Sequence, residues 1–168
     1  MILLNIIMTY YDEISAGYEE LHKEEQMKKI EIIKSKVQFH KNWAVLDVGC
    51  GPYFGDFEGF VVGIDPAFKL LKYAKKKISV LNGKAEWLPF KDNSFMAVVS
   101  ITAVQNFDDI EKGLLEIKRV AKEYIVISVL KESPKVTELE KIIPEMFKIE
   151  RIVEDEKDII FFCRKKIM

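Results

Sequence analysis

The stretch from Ala44 to Asp65 constrains this chain more than any other. Ala44-Val45-Leu46-Asp47-Val48 is an apolar run holding one acid, and Gly49-Cys50-Gly51-Pro52 follows at once. The run predicts a short buried strand. The glycines predict a turn where the backbone approaches a ligand with no Cβ in the way. Eighteen residues after Asp47, a second run, Phe60-Val61-Val62-Gly63-Ile64, ends on Asp65. Only ten residues, Cys50 to Gly59, lie between. Such a segment extends to about 33 Å. That reaches back beside a strand of about 17 Å but leaves no room for a full crossover helix. The spacing therefore predicts two parallel strands joined by a crossover whose helix is missing or one turn long.

A strand, a glycine loop, a second strand and a terminal acid form a ribose-binding arrangement of the Rossmann type. The remaining elements fit an α/β chain. Residues from about Tyr10 to Lys41 read as helix, with Ile14, Tyr18, Leu21, Met27, Ile30, Ile33 and Val37 on an apolar stripe and Gly17 marking a bend or break. Pro66 opens a helix to about Lys77, with Leu70, Leu71 and Ala74 inward and a lysine-rich outer face. Short strands follow at Ile78–Leu81, Met96–Ile101 and Tyr124–Leu130, with a helix at Asp108–Val120 between the last two. A short helix, Thr137–Ile143, stops at Pro144, and the strands Phe147–Val153 and Ile159–Cys163 close as a hairpin. Alternating strands and helices that end in a hairpin predict a mostly parallel sheet with one antiparallel strand.

Composition narrows the function classes. The chain has 168 residues, the size of one domain, with a net charge of -1 that draws it toward neither nucleic acid nor membrane. Cys50 and Cys163 make no disulfide framework, which suits a reducing cytoplasm, and with His22 and His40 they show no metal-ligand spacing. Met1–Met8 is apolar but shorter than the roughly 20 residues a membrane span needs. Met8 is an alternative initiator to Met1, the segment otherwise being an added strand or a helix-end anchor.

A second block is more specific. Gly83, Ala85, Glu86, Leu88, Pro89, Phe90, Asp92, Ser94 and Phe95 fall into the pattern Gly-x-Ala-Glu-x-Leu-Pro-Phe-x-Asp-x-Ser-Phe. With Val45-Leu46-Asp47-Val48-Gly49-Cys50-Gly51 and Asp65, this pattern resembles the class I S-adenosylmethionine-dependent methyltransferases. The resemblance covers residues 44–130 by motif and the rest by order of elements. It implies a three-layer αβα sandwich around a seven-stranded sheet, read here as one domain with a helical cap at residues 1–41 and a Rossmann-like core at 42–168.

The resemblance also implies roles. Gly49, Cys50 and Gly51 pack beside the methionine part of the cofactor, and Asp47 helps bind its ammonium group. Asp65, with Pro66 beside it, receives the ribose hydroxyls, a helix N-cap being the alternative for Asp65. Ala85 and Glu86 meet the adenine edge. Tyr11 and Tyr18 lid the pocket from the N-terminal helix, with Tyr10 as a further candidate. Thr102 belongs to the cofactor site, and Gln105 and Asn106, in the loop after the fourth strand, hold the methyl acceptor or cap the next helix. Ala103-Val104-Gln105 is similar to a segment of ribosomal-RNA guanine methyltransferases.

Three departures stand out: Tyr53 where the third glycine of the loop belongs, the short crossover, and Met96 in place of the usual Asp with no Lys-Pro-Gly-Gly turn before strand five. The expected activity is methyl transfer to an RNA base or a small molecule in the cytoplasm, without metal or membrane. A non-catalytic member that binds the cofactor, or only a partner, and a nicotinamide-dependent oxidoreductase are the rivals. The strands left bare by the short crossover are expected to be covered by the N-terminal helices, or else by a second copy or a helper protein.

Overall fold

The computed structural model describes residues 15–167, with side chains described from residue 22 onward. The expectations for Met1–Met8, Tyr10 and Tyr11, and for the side chain of Tyr18, lie outside the described residues. The first described helix, α1, spans Ser15–Lys36. Gly17, where a bend or break was expected, is the third residue of this helix. The helix ends before Lys41, because Phe39 turns inward to meet Phe57, ring centroids 4.5 Å apart.

The strands are β1 (Ala44–Val48), β2 (Phe60–Asp65), β3 (Ser79–Asn82), β4 (Phe95–Ile101), β5 (Ala121–Leu130), β6 (Phe147–Glu154) and β7 (Asp158–Lys165). The helices after β2, β4 and β5 are α2 (Phe68–Ala74), α3 (Ile110–Val120) and α4 (Val136–Met146). The sheet order is β3-β2-β1-β4-β5-β7-β6. β1 to β5 are parallel, and β7 runs antiparallel between β5 and β6. The architecture is the one expected.

Strand alternation sends the core to both faces. Leu46, Val48, Val62, Ile64, Val98 and Ile127 pack with α3 and α4 on one face. Val45, Val61, Ala97, Val99, Val126 and Phe162 pack on the other with Ile30 and Ile33 of α1 and with Val37 just beyond it. The first crossover holds turns and no helix. Its place is filled by α1 and by two buried rings, Tyr53 and Phe57, the Tyr53 hydroxyl accepting a hydrogen bond from the Phe57 N–H at 3.2 Å. Tyr53 stands in the left-handed region at φ 60°. A non-glycine residue there is strained, and the buried ring offsets that cost. The cover is thus intramolecular.

Other helix limits also differ from expectation. α2 begins at Phe68 rather than at Pro66, since the Ala67 N–H is taken by the Asp65 carboxylate. α4 passes through Pro144 to Met146. A proline so near the end removes one late hydrogen bond, and Lys166 Nζ donates to the Pro144 and Glu145 carbonyls at 2.9 and 2.7 Å.

Ile33 is fully buried, whereas Met27 on the same helix is 48% exposed. Ile33→Ala is expected to lower unfolding free energy by about 2–5 kcal/mol, and Met27→Ala to leave it within about 0.5 kcal/mol. Urea denaturation of the two variants checks this.

Candidate functional site

The strand order reverses between β1 and β4, and ligands of open α/β sheets sit at the carboxyl ends of strands at such a switch. A cleft opens there. The loop after β1 contributes Gly49 and Gly51, the end of β2 Asp65 and Pro66, the loop after β3 Ala85 and Glu86, and the loop after β4 Thr102 and Asn106. Eight of the residues expected at the site are thereby brought together.

The glycine loop is strapped to β2. The Gly49 and Cys50 N–H groups donate to the Ile64 carbonyl at 2.8 and 3.2 Å. The Gly51 N–H donates to Asp65 Oδ2 at 2.8 Å, and the Ala67 N–H to Asp65 Oδ1 at 2.7 Å. Asp65 therefore ties two turns together at the cleft wall and does not serve as the N-cap of α2. Gly49, at φ 77°, lies so close to the loop after β4 that a Cβ on it would stand 2.4 Å from the Ala103 Cβ. Glycine is required there on both counts.

Asp47 and Cys50 do not line this cleft. Both line a smaller cavity beside it, beneath the glycine loop, shared with Gln26 and Ile30 of α1. Strand parity explains the placement, since Asp47 shares the α1 face with Val45. Asp47 Oδ1 is buried with no hydrogen-bond partner. Burial, and then the neighbouring Asp65 carboxylate, push its carboxyl up to about 8. The Cys50 thiol is pushed up by burial and by the same two carboxylates, so it is neutral and no nucleophile.

Gln105 is not among the residues that line the cleft. It and Asn106 lie in a single 3-10 turn, Val104–Asn106. Three residues per turn set neighbours about 120° apart, so the two side chains do not share a face. Asn106 lines the cleft, while Gln105 folds back to donate from Nε2 to the Thr102 carbonyl at 3.0 Å. Its Oε1 is buried and unpartnered. The cap of α3 is Asp109, which accepts from the Lys112 N–H at 3.0 Å.

Glu86 is 2% exposed, and its Oε1 accepts from the Asp109 N–H at 3.0 Å, fixing the start of α3 against the cleft. Sequence reasoning missed Lys84 and Asp108, which both line the cleft and pair at 2.8 Å across two loops. Their opposite charges beside Ala85 and Asn106 were the available signal. Among the described residues no three metal-ligating side chains cluster, and no helix is long and apolar enough to cross a membrane.

The Asp47 carboxyl keeps its proton in the folded protein between its ordinary value of 3.8 and about 8, where the unfolded chain has released it. The folded state binds more protons in that window, so this group makes stability fall as pH rises through it. Asp47→Asn is expected to flatten the dependence and to raise stability relative to the parent at the upper end. Denaturant midpoints of both proteins at about pH 5 and about pH 8 test this.

The family described as "Methyltransferase domain" matches residues 46–126. An uncharacterized protein of Methanocaldococcus jannaschii is 32% identical over 122 residues, covering 70% of this chain and 48% of that protein. Demethylmenaquinone methyltransferase of Chlorobaculum tepidum is 42% identical over 65 residues, covering 37% and 27%. The chain spans about half the length or less of these curated relatives. Among solved structures, a SAM-dependent methyltransferase from Aquifex aeolicus superposes with a TM-score of 0.69 at 22% identity, covering 81% of this chain and 88% of that one. A putative methyltransferase of Haloferax volcanii, in complex with the Trm112 methyltransferase activator, gives a TM-score of 0.78 at 15% identity over 94% and 98%. With the sheet order and the glycine loop already in place, the match puts residues 46–126 in the family described as "Methyltransferase domain", on the fold that solved S-adenosylmethionine-dependent methyltransferases share.

Proposed function

We propose that this protein binds S-adenosylmethionine in the cleft at the switch point and transfers its methyl group to an acceptor lying over the loop after β4. The observation that carries this is the convergence of the strapped glycine loop, the Asp65 carboxylate and the Ala85-Glu86 segment on one cleft, next to a buried carboxyl oxygen of Asp47 with no partner. The residues present fit the cofactor. Asp65 offers coplanar oxygens to a vicinal diol. Asp47 is held neutral by burial; an ammonium group placed beside it would favour the carboxylate, which releases its proton to solvent and pairs with the cation.

When bound, the cofactor supplies an electrophilic methyl group, so the protein's share is position and electrostatics. Asn106 orients the acceptor by hydrogen bonding, and the acceptor is a small molecule or an RNA base. The two buried thiols support a cytoplasmic setting. Among the described residues β3 forms one edge of the sheet, with Leu81 40% exposed. An open edge with an exposed apolar side chain favours a helper protein, of the kind the Haloferax structure carries.

Asp65→Asn keeps one acceptor oxygen for the backbone and removes the charge. It is expected to weaken S-adenosylhomocysteine binding by about 1.5–3 kcal/mol. Calorimetric titration measures this, with NAD as the control ligand. Unchanged affinity in the variant, or preference for NAD, overturns the reading. Asn106→Ala is expected to leave S-adenosylhomocysteine affinity nearly intact and to lower turnover once an acceptor is in hand. A collapse of cofactor binding would move Asn106 into the cofactor pocket.

A further inference from the structure

Lys29 of α1 is 3% exposed and Asp158, the first residue of β7, is fully buried. Lys29 Nζ lies 3.2 Å from Asp158 Oδ1 and donates to Thr102 Oγ1 at 2.7 Å. The Thr102 hydroxyl donates in turn to Asp158 Oδ2 at 2.7 Å. The Thr102 N–H reaches Ser128 Oγ of β5 at 2.8 Å and the Ser128 carbonyl at 3.1 Å. Three elements distant in sequence converge on this one threonine.

Thr102 needs holding. Its φ is 53°, a left-handed conformation that a β-branched residue adopts only when its surroundings over-determine it. Its successor Ala103 stands directly against Gly49, and Asn106, one turn on, lines the cleft. A displacement of Thr102 therefore moves the floor of the cleft and the glycine loop with it. A buried ion pair is a weak source of stability, because desolvation consumes most of the attraction. What this pair does supply is direction: a donor and an acceptor fixed on opposite sides of one hydroxyl.

We propose that Lys29 and Asp158 are positioning residues, which lock Thr102 in its left-handed conformation and thereby set the loop after β4 against the glycine loop for ligand binding. The proposal rests on the cofactor reading given above. It makes α1 part of the binding apparatus as well as a cover for the sheet.

The test compares Lys29→Met with Lys29→Met/Asp158→Asn in the full chain. The readouts are thermal melting, S-adenosylhomocysteine affinity by calorimetry, and amide hydrogen exchange over residues 102–106. The single variant leaves a buried carboxylate unpaired and is expected to melt lower and to bind about tenfold more weakly. The double variant leaves no unpaired charge and is expected to recover the melting temperature but neither the affinity nor the slow exchange. Should the single variant fail to fold, the double variant carries the comparison alone. Recovery of affinity and exchange together with melting temperature would make the pair purely structural and overturn the proposal. If the parent protein binds no S-adenosylhomocysteine, the cofactor reading falls. Exchange then decides separately: faster exchange in the double variant supports positioning, and unchanged exchange refutes it.

Discussion

The carboxylate of Asp65 holds the site together. Its two oxygens take backbone N–H groups from Gly51 on one side and Ala67 on the other. The Asp65 carbonyl accepts from the Gly83 N–H at 3.2 Å and the Asn82 side chain at 2.9 Å. One residue at the end of β2 thus fixes the glycine loop, the entry to α2 and the exit of β3. Hydrogen bonds to an ionised acceptor are the stronger kind, and here they are spent on loops that carry no helix of their own. The left-handed angles at Gly49, Gly51 and Tyr53 are tolerable because this anchor and the Ile64 carbonyl hold the turn from both ends.

The short first crossover shapes the rest of the α1 face. A parallel β-x-β unit ordinarily covers itself with its own connecting helix. Here the connection supplies only Tyr53 and Phe57, and the cover comes from α1, which precedes the sheet in the chain. That borrowing places Gln26, Lys29 and Ile30 beside the cleft, where a conventional crossover helix would have stood. The small cavity under Asp47 lies at the seam between the borrowed helix and the glycine loop.

Much of this was legible in the residues. The limits of β1 and β2, the missing crossover helix, the sheet with its antiparallel strand, and Asp65 at the cleft wall follow from apolar runs, turn glycines and chain length. The direction each side chain faces was harder. Asp47 shares its parity with Val45, yet which face meets the cleft depends on what covers the other. Gln105 and Asn106 look equivalent in sequence and are separated by the pitch of a 3-10 turn. Gly17 suggested a bend or break because glycine is a poor helix former, and it falls on the third residue of the first described helix. Pro144 misled because a proline two residues from a helix end loses little. Lys29 and Asp158 could not be paired from sequence, being 129 residues apart, with Asp158 reading as part of a hairpin link.

That long separation bears on how the chain comes to be assembled. Synthesis proceeds from the N-terminus, so α1 exists before any strand it will cover. Once β1 to β5 are laid down, Ser128 is in place for Thr102, but Lys29 still has no counter-charge and cannot enter the interior without a heavy desolvation cost. Only β7 brings Asp158. The seating of the first helix therefore waits on a strand that follows it by more than a hundred residues, and non-local closures of this kind are slow. A ribosome-bound chain that lacks β7 would hold the motif-bearing half of the sheet and yet no shaped cleft.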